Sequence, residues 1–555
     1  MDERSIFIAG AAGEGIQTVG DVVARAFLTH GYPVFAMQEY ESRIRGGYSS
    51  HRLRIAAESA NSPRRDADVL LALNPEARDH YASDLRIGGT LVASEAADEQ
   101  TIVVPFRDLA LEHGGSSLYA NAVAAGALAA VLGLPVDTVV WALTAAVARH
   151  GNEAVVGNIS AAEAGFAVAR DSLGEHAPKP WPKRENVYAF VSAHDVIPLA
   201  AAAAGCRFMS AYPMSPSTGI ITAFARDPEL GVFVEQAEDE IAAIGMALGA
   251  SAAGARAMTA TSGGGFALMV ESISLAGMIE TPIVIVLSQR PGPATGLPTR
   301  TAQEDLLFAI HAGHGETPRA VLAPADPLDA LQKTLRAFEL ADRYQIPAIV
   351  LSDQFLADSR FSLPPLSLPD GIADAHLADP DAIDGEYRRY ARTGDGVSPR
   401  LYLGQTKNLV YLDSDEHTED GHITEDLRIM RPSMVEKRLE KGRRLRCEIA
   451  PPSRLRDDDA EILLLGWGST KGAIDEAVTL LRGAGRRVGA LHFTELWPLP
   501  EMTWRDDIQY WTVEGNATGQ LARLLGSDGG PCIEGRIGRY DGLPLDAATI
   551  VEALT

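Results

Sequence analysis

Cysteine is scarce in this chain: three in 555 residues, Cys206, Cys447 and Cys532, far apart and with no CxxC pair. That argues against a disulfide framework, and against a Cys-ligated iron–sulfur cluster held by this chain. Positive charge is short as well, with 49 Lys and Arg against 74 Asp and Glu, a formal net charge of -25. Nucleic-acid binders need a basic face, so phosphate-backbone binding is not expected, and the acidity reads as a solubility feature. Long hydrophobic runs are missing too. The Ala-rich stretch 120–134 is too short and too small-sided to span a bilayer. Met1-Asp2-Glu3-Arg4 runs directly into a short apolar strand, without the longer core of a signal peptide. The expectation is a cytoplasmic protein with no membrane and no nucleic-acid partner.

What is present is a globular composition, 46% apolar and 22% charged, on a chain long enough for three or four domains. Short apolar runs at 5–9, 69–73 and 90–94 read as strands, and 120–132 and 136–147 read as helices. This is the alternation of an α/β domain over residues 1–173. Residues 174–186 (GEHAPKPWPKREN) join Pro and charge with little apolar content and read as a linker. A second doubly wound α/β domain spans 187–362, with strands at 207–211, 232–235, 257–260, 283–287 and 346–351 and helices at 238–253 and 326–344. Residues 363–456 are rich in Pro, Asp, Gly and Arg and read as an extended connecting region. A third α/β domain follows at 457–555.

Two loops carry the chemistry. Tyr212-Pro213-Met214-Ser215-Pro216-Ser217-Thr218 and the segment from Gln289 to Thr299, QRPGPATGLPT, combine Pro and Gly with hydroxyls and one guanidinium. Arg290 follows the strand at 283–287, at the carboxyl end where such sheets bind ligands, and could hold a carboxylate in two hydrogen bonds or form a salt bridge at the loop base. Glu240 opens a helical seam with Ile241, Ile244 and Leu248, where a core-facing carboxyl can share a proton with a ring nitrogen. Glu235, Glu238 and Asp239 read as acids that complement the helix dipole. The turn Gly10-Ala11-Ala12-Gly13-Glu14-Gly15 lies between a strand and a helix, which suits either an anion or a tight structural turn. Its spacing, GxxGxG, departs from the dinucleotide fingerprint and disfavours NAD. Arg43 and Arg45 could add anion contacts. Gly394-Asp395-Gly396 lacks a preceding buried strand and reads as a turn. The Asp415, Glu416, His417, Asp420 and His422 group lacks metal-ligand spacing.

These motifs resemble the 2-oxoacid:ferredoxin oxidoreductases over nearly the whole chain and in the right order. YPMSPST is similar to the family's YPITPSS-type loop, EDEIAAIGMALGAS to the helix after it, and QRPGPATGLPT to the substrate-side loop of the alpha subunits. GDGVSPR and EHTEDGHITED, with Met434 and Lys437-Arg438, resemble the connecting region of the 2-oxoglutarate branch. GWGSTKGAIDEAV and VEGNATGQL resemble a transketolase C-terminal-like domain, and GAAGEGIQ with ESRIRGGYSS the gamma domain, here fused ahead of alpha.

The resemblance implies a gamma-type α/β domain, a thiamine-diphosphate-binding (pyrimidine-type) domain and a transketolase-like C-terminal domain. It implies oxidative decarboxylation of a 2-oxoacid with coenzyme A, giving acyl-CoA, CO2 and two electrons for ferredoxin. A separate beta subunit would bring the thiamine diphosphate–Mg motif and a [4Fe–4S] cluster, in a dimer of alpha–beta heterodimers. By position, Glu240 would bond the thiamine aminopyrimidine, and Arg290 and Thr299 would hold the 2-oxoacid. Ser215 stands where the family has Thr, and Met214 where it has Ile. Tyr212 and Pro213 would touch the cofactor, and Gly13, Glu14, Gly15, Arg43 and Arg45 would touch coenzyme A. 2-Oxoglutarate is the expected substrate. Pyruvate or a branched-chain 2-oxoacid is the alternative within the chemistry, and a scaffold subunit or a nucleotide-binding dehydrogenase the alternative outside it.

Overall fold

Apolar strands alternating with amphipathic helices fold into two units in the computed structural model, which describes residues 3–42, 46–369, 376–383, 385–405, 407 and 409–555. Arg43 and Arg45 lie outside the described residues. The first unit comprises residues 1–191, 359–366 and 546–548; the second comprises 192–358, 367–545 and 549–555.

The first unit is built on an eight-stranded mixed sheet. Its central strand, Glu3–Ala12, pairs in parallel with Ala67–Ala72 and antiparallel with Gly46–Ala56. The antiparallel pair Val34–Glu39 and Gly46–Ala56 is absent from the sequence reading. The reason is visible in GGYSSHRLRIA, whose buried positions include Ser49, Ser50, His51 and Arg54 rather than a clean apolar alternation. The helices Ala120–Leu132 and Asn152–Leu173 pack so closely that a Cβ on Gly126 would lie 1.9 Å from the Ala162 carbonyl oxygen. Residues 174–186 are docked rather than loose. Trp181 is buried, its indole donates to the Leu132 carbonyl at 2.7 Å, and its ring meets Phe27 and Tyr32 edge-on.

The second unit holds two sheets. In the larger, the strands run Glu495–Trp497, Ala320–Leu322, Pro347–Asp353, Ile283–Gln289, Ala257–Thr261, Phe208–Ala211 and Phe233–Gln236, parallel except at the first. Buried on both faces, the central strands read as unbroken apolar runs, as parallel sheets require. The smaller sheet has five strands, in which Ile462–Trp467, Val488–Phe493, Gln509–Glu514 and Ile533–Gly538 are parallel. No helix among the described residues is long and apolar enough to cross a membrane.

The connecting region is not simply extended: it contains a 17-residue helix, Met430–Arg446. Its buried face is Met434, Lys437, Arg438, Lys441 and Leu445, so helical periodicity is present but written largely in cations. Lys437 and Lys441 converge on Glu280, which is fully buried: Lys437 Nζ lies 2.6 Å from Oε1 and Lys441 Nζ 2.9 Å from Oε2, while Arg438 pairs with Glu416. Arg389 Nη2 donates to the Glu280 carbonyl at 2.6 Å. Burial alone would raise the Glu280 pKa, but the charges of Lys437 and Lys441 overcome it and hold the carboxyl well below its ordinary range. Gly394-Asp395-Gly396 forms a turn in which the Asp395 carboxylate accepts from Thr393 and from the Val397 amide. Glu280→Gln leaves two buried ammonium groups short of a counter-charge, so chemical denaturation is expected to show a loss of about 3–5 kcal/mol. Replacing Glu280, Lys437 and Lys441 together by apolar residues is expected to cost less than that single change.

Candidate active site

Because Phe208–Ala211, Ala257–Thr261 and Ile283–Gln289 are adjacent and parallel, the loops that leave them open on one edge of the sheet. That carboxyl edge is where open α/β sheets bind ligands. The helix Glu240–Ala252 starts there as well, after the neighbouring strand Phe233–Gln236.

The loop after Ala211 closes on itself. Both the amide and the hydroxyl of Ser217 donate to the Met214 carbonyl, at 2.9 and 2.7 Å. Pro216 and Ser217 are buried, whereas Tyr212 and Ser215 are exposed and Pro213 is half-buried. The loop after Gln289 reaches it: Arg290 Nη1 donates to the Ser215 carbonyl at 2.6 Å. The two loops singled out in the sequence are thus joined by a hydrogen bond that leaves most of the guanidinium's donors for a ligand. Leu297 donates to the Pro291 carbonyl at 3.1 Å, and Ala294 and Gly296 take φ values of 56° and 53°. A Cβ on Gly296 would lie 1.8 Å from the Pro291 oxygen, so glycine is required there. Thr299 is half-buried in this loop, and no hydrogen bond joins its side chain to Arg290, Ser215 or Glu240.

Glu240 is 3% exposed in the first turn of its helix, and its Oε1 has no hydrogen-bond partner among the described residues. The neighbouring acid does the capping: Asp239 accepts from the Ala242 amide at 2.8 Å, which frees Glu240 from that task. Ile244 and Leu248 share the buried face, but Ile241, expected on the same seam, is 55% exposed. One residue advances about 100° around a helix, which turns Ile241 toward solvent. The carboxyl lies against the first turn of the helix Gly263–Met278, where a Cβ on Gly265 would sit 2.4 Å from Glu240 Oε1 and 2.2 Å from the Thr261 hydroxyl.

Sequence reasoning missed several groups at this edge. The Ser262 hydroxyl is buried without a partner among the described residues, so the glycine helix begins without a side-chain cap. Asp305 abuts Gly263, whose Cβ would lie 2.6 Å from Oδ2. Burial, and then the charge of Glu304, push the Asp305 carboxyl up to about 6. A Ser-Gly-Gly-Gly run between a buried strand and a helix was the available signal.

In the first unit, Gly13 and Gly15 take φ values of 94° and 81°, and Glu14 folds back over the turn. Its Oε2 accepts from the Ala11 amide at 2.8 Å and from Asn74 Nδ2 at 2.6 Å, occupying the amide that an anion would need. A cleft of about 360 Å³ lies beside the turn, lined by Gly13, Gly15, Gln17, Glu39, Glu41 and His51 among others.

Two family models match this chain. Residues 199–436 match "Pyruvate flavodoxin/ferredoxin oxidoreductase, thiamine diP-bdg", and residues 5–168 match "Pyruvate ferredoxin/flavodoxin oxidoreductase". Subunit alpha of 2-oxoacid:ferredoxin oxidoreductase 2 from Aeropyrum pernix is 30% identical over 634 aligned positions, covering 100% of this chain and 97% of the relative. The chain belongs to the 2-oxoacid:ferredoxin oxidoreductase alpha subunits. The 2-oxoglutarate oxidoreductase subunit KorA of Mycobacterium tuberculosis is 29% identical, covering 90% of this chain and 83% of its own. Among solved structures, a 2-oxoglutarate:ferredoxin oxidoreductase from Magnetococcus marinus, with 2-oxoglutarate, coenzyme A and succinyl-CoA bound, superposes with a TM-score of 0.93. Identity to it is 31%, over 100% of this chain and 99% of that one.

As a member of that family, the chain is part of a multi-subunit oxidoreductase, and it carries a thiamine diphosphate-binding domain. Its residues fit the cofactor, because Glu240 offers a buried oxygen with no partner of its own, which suits a ring nitrogen supplied from outside the chain. Gly265→Ala is expected to displace that oxygen, lowering turnover of the assembled enzyme by about 100-fold and stability by about 1–3 kcal/mol. Gly264→Ala is the control in both steady-state assays and thermal melts. Its Cβ would meet nothing nearer than the Ala294 oxygen at 3.8 Å, so it is expected to leave both unchanged.

Proposed function

We propose that this alpha subunit, with a gamma-type domain fused ahead of it, serves a cytoplasmic 2-oxoglutarate:ferredoxin oxidoreductase. The reaction is coenzyme A-dependent oxidative decarboxylation of 2-oxoglutarate to succinyl-CoA and CO2, with two electrons passed to ferredoxin. The observation that carries the reading is the buried, unbonded Glu240 oxygen on the same sheet edge as the Arg290 guanidinium. Support for 2-oxoglutarate comes from relatives and a solved neighbour whose names carry that acid.

Glu240 would hold the aminopyrimidine nitrogen of thiamine diphosphate, favouring the ring tautomer that serves as a base. Bound there, the cofactor supplies a carbon nucleophile and an electron sink for decarboxylation. Arg290, fixed through the Ser215 carbonyl, would receive the 2-oxoacid carboxylate in two hydrogen bonds, with Thr299 beside it. Tyr212 and Pro213 would wall the cofactor side, and Ser215 would shape the pocket. The diphosphate–Mg site and a [4Fe–4S] cluster are assigned to a separate beta subunit, consistent with three scattered cysteines here. Tyr212, Ile241, Leu268 and Leu297 are exposed apolar side chains on the loops and first two helical turns at this edge, and suit cover by that subunit. The assembly proposed is a dimer of alpha–beta heterodimers. Coenzyme A is expected against the first unit, at the cleft beside Gly13 and Gly15 rather than on the turn's amides. Arg43 and Arg45 are proposed to contribute there.

Assay of the complex formed with its beta subunit tests the reading. The kcat/KM for 2-oxoglutarate is expected to exceed those for pyruvate and branched-chain 2-oxoacids by about 100-fold, the discrimination a charged second carboxylate allows. Equal values would overturn the substrate. Glu240→Gln is expected to lower kcat by about 100-fold or more, whereas near-normal turnover would favour a scaffold role.

A further inference from the structure

Residues 303–305 form a fixed post beside the substrate-side loop. Gln303 donates through Nε2 to the Trp467 carbonyl at 2.9 Å and accepts through Oε1 from the Gly515 amide at 2.9 Å. Its own amide donates to the Gly515 carbonyl at 2.7 Å, and its carbonyl accepts from Asn516 Nδ2 at 3.0 Å. The Glu304 carbonyl accepts from the Gln520 side chain. The Asp305 amide donates to Gln289 Oε1 at 2.9 Å, and Gln289 Nε2 donates to the Ser352 carbonyl at 3.1 Å. These bonds run to strand ends and to the turn at Gly515–Gln520, so the segment has little freedom of its own.

From this post the Glu304 carboxylate reaches across to the Gly292 amide, at 2.9 Å. Arg290 is therefore bracketed. Gln289, the residue before it, is held by Asp305, and Gly292, two residues after it, is held by Glu304. Beyond Gly292 the loop is irregular through residue 300, with positive φ at Ala294 and Gly296, and no strand pairing fixes its course. A carboxylate is the strongest acceptor available to an exposed loop amide, because the bond is charge-assisted.

We propose that Glu304 is a positioning residue for Arg290, holding the Gly292 amide so that the guanidinium meets the substrate carboxylate in one orientation. This rests on the reading of Arg290 as the carboxylate grip. Glu304 itself touches no substrate in this account, and its effect is transmitted through the backbone between Gly292 and Arg290. Loss of the clamp weakens binding of the 2-oxoacid while leaving coenzyme A and the chemical step largely unaffected.

The test uses the assembled complex. Glu304→Ala is expected to raise the KM for the 2-oxoacid about 10-fold, with kcat within about 3-fold and the KM for coenzyme A unchanged. Glu304→Gln keeps an acceptor oxygen and is expected to stay within about 3-fold of the parent in every constant. Hydrogen exchange at residues 291–299 should rise in Glu304→Ala and not in Glu304→Gln. In an Arg290→Ala background, Glu304→Ala should add less than about 2-fold to KM, because the two act as one unit. An unchanged 2-oxoacid KM in Glu304→Ala, alongside a raised KM in Arg290→Ala, overturns the positioning role. So does unchanged exchange at residues 291–299. If Arg290→Ala itself leaves KM unchanged, the carboxylate-grip reading falls instead, and the exchange data still report whether Glu304 holds the loop.

Discussion

The arrangement at the sheet edge turns on a buried carboxyl oxygen with no hydrogen-bond partner among the described residues, Glu240 Oε1. An unsatisfied buried acceptor costs about 1–3 kcal/mol. Three local features maintain it. Asp239 takes over the capping of the helix, Gly265 leaves the volume that a methyl group would fill, and the buried seam of Ala243, Ile244 and Ala247 prevents the first turn from rotating outward. The group is thereby presented rather than consumed. In the proposed reading its complement is a donor that arrives with the cofactor.

Around that oxygen the loops are tied to one another. The parallel order of three strands brings their loops to one edge, and the Arg290 bond to the Ser215 carbonyl ties two of them together. Farther off, the Glu280, Lys437 and Lys441 cluster pins the helix Met430–Arg446 to the residue that follows the glycine helix and its terminal turn. Buried charges of this kind add little net stability compared with apolar packing, but they tolerate few alternative partners. The connecting region is thereby held in one register although it offers few apolar side chains.

Much of this was legible in the sequence, and the exceptions have physical causes. The strands at 257–260 and 283–287 and the helices at 120–132 and 136–147 are found at or within two residues of their expected bounds, because apolar runs between turn residues are strong signals. The helix Met430–Arg446 was hidden, since Lys437, Arg438 and Lys441 fill positions where a search expects apolar side chains. The strand Gly46–Ala56 was hidden for a similar reason, its buried side including His51 and Arg54. At the sheet edge, the positions of Glu240 and Arg290 follow from the alternation of strands and helices, while the roles proposed for them come from the family resemblance. Asp305, Glu304 and Gly265 were not legible, because their roles lie in contacts between segments distant in sequence. Glu14 shows the converse, a residue in a ligand-like motif that satisfies the motif's own backbone.

The most direct measurement is a structure of the assembled complex with thiamine diphosphate bound. The account predicts a pyrimidine ring nitrogen within about 3 Å of Glu240 Oε1. A carboxyl that stays unbonded there, or that turns to pair with a protein group while the cofactor sits elsewhere, would contradict it.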